Sequence, residues 1–177
     1  YTYRRRAADI AELIERLALR DVVLVGWSLA VLESLTLVRE ALDQGRPHGL
    51  RALVLVDNSV GEATPPKTSS TFIPRLRRER ERTVDGFVRE MFRRPQPEPW
   101  LRALTQAALR TPLDASIALI SQGTPRQVWR ETLYATDVPV MYVHTPRFAA
   151  QAAAVRERRP AVRTVAFEQA GHALFVD

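Results

Sequence analysis

The chain has 177 residues, 46% of them hydrophobic and 26% charged, a balance that fits a folded core and excludes a disordered or fibrous chain. Its longest charge-free apolar run, residues 22–32, is 11 residues against the ~20 that a membrane-spanning helix needs, so no membrane span is predicted. Cysteine is absent, which excludes disulfides and thiol chemistry, and the formal net charge of +6 is concentrated in residues 67–130, where 13 basic side chains face 6 acidic ones.

Over residues 4–19, Ile10, Leu13, Ile14, Leu17 and Ala18 recur at helical spacing and predict an amphipathic helix. Residues 21–26 form an apolar, β-branched run, the pattern of a strand covered on both faces. A second helix is predicted from Leu29 to about Asp43, closed by Gly45, and a second strand over residues 50–57. This rhythm implies a parallel sheet with helical crossovers.

The rhythm then breaks. Residues 61–70 read as a loop, and helices are predicted over 84–93, 98–110, 112–122 and 126–135. The third is signed by Thr111 as N-cap, Pro112 at the first helical position and Asp114 at N3. Buried-type strands follow over 139–144 and 162–167, separated by a helix over 146–158. The expected fold class is α/β: about four parallel strands flanked by helices, with a core of 1–59 and 136–177 and a helical lid of 60–135.

Gly26-Trp27-Ser28-Leu29-Ala30 lies where the first strand meets the second helix. A sharp turn there strains its central residue and needs small neighbours two before and two after it. It lifts the Ser28 hydroxyl off the sheet and sets the Leu29 N–H at a helix N-terminus, placed to hold an oxyanion. The bland alternative is a serine that merely caps a crossover helix. Of three histidines, His48 enters a strand from the wrong edge of a parallel sheet, and His144 ends a strand it could simply cap. His172 follows the last strand in Gly-His-Ala-Leu-Phe-Val-Asp.

These features resemble the α/β-hydrolase superfamily, whose nucleophile elbow reads Gly-x-Ser-x-Gly and whose catalytic base sits in a Gly-His loop after the last strand. Ala30 replaces the final glycine. The resemblance implies Ser28 as nucleophile, His172 as base and Leu29 as an oxyanion donor, and it covers strands 5 to 8 of the family's usual eight, as in a piece of a longer protein. The family's usual acid follows the third strand here, but residues 138–156 contain no carboxylate. Some members place the acid at the end of the strand after the nucleophile helix, which selects Asp57, with Glu62 or no acid as the alternatives. Trp27 lines the pocket or packs in the core. Glu33 is placed to reach the Asn58–Ser59 loop or to face solvent.

The arginine run from Arg75 to Arg82 is interleaved with acids and lacks aromatics, which favours a solvated lid helix over nucleic-acid binding. No phosphate loop, metal cluster or dinucleotide fingerprint is present, so no cofactor is implied. The expected function is a serine hydrolase acting on a small-molecule ester or other acyl substrate, cytoplasmic by default. Cofactor-free haloperoxidase, lyase or acyltransferase chemistry, or ligand binding without catalysis, are the alternatives on the same scaffold.

Overall fold

The computed structural model describes residues 1–45, 49–63 and 71–177. Helix α1 (Tyr3–Arg16) begins where Thr2, its N-cap, accepts a hydrogen bond from the Arg5 N–H at 3.1 Å. Strand β1 (Val22–Trp27), helix α2 (Leu29–Asp43) and strand β2 (Leu50–Val56) follow, then helices α3 (Phe72–Arg78), α4 (Arg80–Glu90), α5 (Glu98–Leu109), α6 (Leu113–Ile120) and α7 (Arg126–Ala135). Strand β3 (Val140–His144), a 3₁₀ turn at Pro146–Phe148, α8 (Ala149–Arg158) and β4 (Arg163–Ala166) complete the order.

The strands lie in the order β1-β2-β3-β4, all parallel, with Leu24 opposite Leu53 and Leu53 opposite Val140. This is the α/β sheet with flanking helices that the alternation of apolar runs implies. One side of the sheet is the core: Leu53, Leu55 and Tyr142 pack with Leu35 and Val38 of α2, Leu133 of α7 and Val155 of α8, all fully buried. Strand β1 departs from expectation. Leu24 packs against the core, but Val23 and Val25 are 52% and 61% exposed, so only one of its faces is covered among the described residues.

The chain divides into two compact units, one of Tyr1–Pro66 with Gly123–Ala166, the other of Lys67–Gln122 with Phe167–Asp177. Helix α7 thus belongs with the sheet, where Trp129 and Leu133 join the core beside α2. The second unit holds α3 to α6 and the segment carrying His172. Its arginine run is two helices rather than one, broken at Glu79 where the backbone leaves the helical region (φ −139°, ψ 54°). Pro112, with ψ 148°, is the cap residue of α6 in place of Thr111. Pro146 opens a 3₁₀ turn, and α8 itself starts three residues later.

Glu33 also lies elsewhere than expected. It is buried on α2 and meets Arg6 of α1, Nη1 to Oε1 at 2.5 Å, an ion pair without hydrogen-bond alignment. Tyr3 packs edge-on against Trp129 with ring centroids 6.1 Å apart. Burial pushes the Glu33 carboxyl above the usual range, and the Arg6 charge opposes this. A raised folded value means that Glu33's contribution is most favourable in acid and is lost as pH rises through that value. Arg6→Ala is therefore expected to cost about 3 kcal/mol at pH 7, by stranding a buried carboxylate. The loss should shrink at pH 4, where Glu33 takes up a proton, and urea unfolding at the two pH values reads both numbers.

Candidate active site

The turn from β1 into α2 places Ser28 at φ 56°, ψ −125°. A residue with a side chain enters this region only when its surroundings force it, at about 1–3 kcal/mol. Three bonds supply that force. The Ser28 N–H donates to Val56 C=O at 3.0 Å, and the Ser28 C=O accepts from the Val31 N–H at 3.0 Å and from Asn58 Nδ2 at 2.8 Å. Leu29 is the first residue of α2, so its N–H is among those that no intrahelical carbonyl reaches. Trp27 ends β1 opposite Val56 and is half-buried.

The need for small residues around Ser28 is visible in the packing. A Cβ added to Gly26 would sit 2.5 Å from Ala30 O and 2.6 Å from Ser34 Oγ, which itself donates to Ala30 C=O at 2.7 Å. The start of α2 therefore lies directly on the β1 backbone. Gly26→Ala is expected to cost about 3 kcal/mol through overpacking. It should also displace Ser28, read as a lower midpoint in denaturant together with slower labelling by a serine-reactive probe.

Asp57 occupies the equivalent corner of the adjacent strand, again with positive φ (50°), and is buried. Its N–H donates to Val143 C=O at 2.8 Å. Its Oδ1 accepts from the Thr145 N–H at 2.8 Å and from Thr145 Oγ1 at 2.7 Å. Asn58 joins the two corners. Its side chain holds the Ser28 carbonyl, while its own C=O accepts from the Tyr142 hydroxyl at 2.9 Å. Burial, and then the Asp57 charge, push the Tyr142 hydroxyl well above its usual range, so it remains a donor. Thr145 and Asn58 escaped the sequence reading because neither belongs to a catalytic residue pattern. The only available signal was an Asp-Asn pair at a strand end, where such side chains bond nearby backbone.

The structure thus brings Ser28 and Asp57 to neighbouring strand ends, while His172 lies in the second unit, half-buried in the segment after β4. His144 is buried with Nδ1 2.9 Å from Thr145 O. His48 lies outside the described residues. Glu62, the alternative acid, is buried beside Arg158 (3.4 Å) and Arg130 (3.8 Å), while Arg126 donates to its backbone carbonyl at 3.0 Å. Its charge is already answered by arginines.

A family model described as the alpha/beta hydrolase family matches residues 1–177. The chain belongs to this family. Among solved structures, the chain is similar to an esterase from Exiguobacterium antarcticum, with 22% identity and TM-score 0.77 over 100% of this chain and 69% of that one. It is also similar to a bromoperoxidase from Bacillus anthracis (17%, TM-score 0.78, covering 96% and 67%) and to an esterase from Rhodococcus sp. ECU1013 (19%, TM-score 0.77, covering 100% and 69%). The likeness to these structures is one of fold, and the chain spans about two thirds of their length. Comparison with curated proteins gives no match. No helix among the described residues is long and apolar enough to cross a membrane.

Proposed function

We propose that this alpha/beta hydrolase cleaves carboxylic esters or related small acyl compounds through Ser28, His172 and Asp57. The observation that carries the reading is the backbone of Ser28, strained at the carboxyl end of β1 and followed at once by a helix. A serine that only caps a helix has no need of that conformation, and Ser28 makes no side-chain cap hydrogen bond.

In this scheme Ser28 Oγ attacks the acyl carbon as His172 takes its proton. The carbonyl electron pair moves onto oxygen, where the Leu29 N–H stabilises it. Collapse expels the alcohol, which leaves with the proton from His172. Water then attacks the acyl-enzyme in the same way and releases the acid. Asp57 orients the imidazole and stays ionised. Helices α3 to α6, within the 60–135 segment, act as a lid, and Trp27 lines the acyl pocket. The scheme uses no cofactor or metal.

The direct test is labelling with a fluorophosphonate, followed by peptide mapping and hydrolysis of a p-nitrophenyl ester series. A phosphonyl adduct on Ser28 and saturable turnover support the reading. A chain that binds acyl ligands tightly without turnover, and equally well as Ser28→Ala, is a binding protein instead. The bromoperoxidase neighbour favours one second reading, peracid formation from acetate and hydrogen peroxide at the same serine. Bromination of an indicator dye that outpaces ester hydrolysis would select it.

A further inference from the structure

The segment after β4 is bonded to the turn between α4 and α5. The Ala173 N–H donates to Met91 C=O at 2.8 Å, and Arg93 Nη1 donates to Glu168 C=O at 3.0 Å. The Asp177 carboxylate then gathers three backbone N–H groups: Arg93 at 2.9 Å, Arg94 at 3.0 Å and Gly171 at 2.6 Å. Two of these donors belong to the turn, and the third immediately precedes His172. The approach is too close for a side chain. A Cβ on Gly171 would lie 2.7 Å from Met91 O, 2.8 Å from Arg93 N and 2.9 Å from Asp177 Oδ2. Converging backbone N–H groups form an anion-binding concavity, and here the chain's own carboxylate fills it. Burial pushes the Asp177 carboxyl up, but these donors outweigh it and hold the group below the usual range, so it is ionised at neutral pH.

We propose that Asp177 is a positioning residue for His172, its carboxylate fastening the Gly171–His172 loop to the 91–94 turn so that the α4–α5 hairpin carries the imidazole. The proposal rests on His172 being the base of the reaction above. Asp177 touches no reacting atom in it. Its part is to remove freedom from a loop whose ring must stay aligned for proton transfer, where a misplacement of about 1 Å can cost ~10²-fold in rate.

The test is amide hydrogen exchange and steady-state ester hydrolysis on the full chain and on Asp177→Ala, Asp177→Asn and Asp177→Glu. In Asp177→Ala, exchange at Gly171, Arg93 and Arg94 is expected to accelerate at least about tenfold as the loop opens locally. The kcat should fall between about ten- and a hundredfold with KM unchanged. Asp177→Glu keeps two acceptor oxygens and should restore most of both. Asp177→Asn, equal in size but with one acceptor, should lie between. Unchanged exchange in Asp177→Ala overturns the fastening. Faster exchange with unchanged kcat overturns the positioning role. A wild-type chain that neither takes the phosphonate label nor turns over esters shows, before any variant is made, that the hydrolase reading has failed, and the positioning role falls with it.

Discussion

Replacing Ser28 by alanine is expected to abolish phosphonate labelling and to lower ester turnover by up to ~10⁶-fold, the scale known for removing a serine-protease nucleophile. Replacing it by glycine should have the same effect on activity and the opposite effect on stability. At φ 56°, ψ −125° a side chain is strained and glycine is not. Relief of that strain, less the entropy cost of glycine, leaves a gain of about 1 kcal/mol for Ser28→Gly. A serine that merely began a helix would lose stability on the same substitution. Urea unfolding of the two variants, beside their labelling, therefore separates a residue held under strain for chemistry from one held for structure. Labelling that persists in Ser28→Ala would remove Ser28 from the role.

Asp57→Asn is expected to leave the fold intact and to lower kcat by ~10⁴-fold, the serine-protease precedent for losing the carboxylate that sets the imidazole tautomer. The structure explains why the fold should survive. Oδ1 remains a carbonyl oxygen able to accept both Thr145 donors, and asparagine tolerates the positive φ of this position. Asp57→Ala differs, because it leaves the buried Thr145 N–H and hydroxyl without their acceptor and should add a stability loss of about 1–3 kcal/mol per stranded group. Glu62→Gln should change turnover little, since that carboxylate is engaged with Arg130 and Arg158. Near-wild-type kcat in Asp57→Asn would make the Thr145–Asp57 bonds purely structural and end the assignment of Asp57 as the acid.

The α/β sheet and the serine turn were legible in the sequence because each rests on a local rule. Apolar β-branched runs such as 50–56 state a buried strand by themselves, and α2 shows its stripe in Val31, Leu35 and Val38. The small-x-Ser-x-small spacing is local as well, since Gly26 and Ala30 touch across a single turn. Helix ends at proline were less legible. The sequence pattern makes Pro112 and Pro146 helical first residues, yet Pro112 has an extended ψ and Pro146 opens a 3₁₀ turn.

Residue types, their periodicity and their order along the chain thus determined the strands, the crossovers and the candidate nucleophile. Only the tertiary structure decided which face of β1 is covered, that Glu33 is buried against Arg6 rather than in water, and that the His172 segment is grouped with α3 to α6. The physical reason is the range of the interactions. A strand or a tight turn is fixed by hydrogen bonds and sterics within a few residues, and such patterns can be read from the chain. Burial, and the partner of a charge, depend on segments distant in sequence: Thr145 bonds Asp57 across 88 residues and Asp177 bonds Arg93 across 84, and neither pairing leaves a trace in local composition.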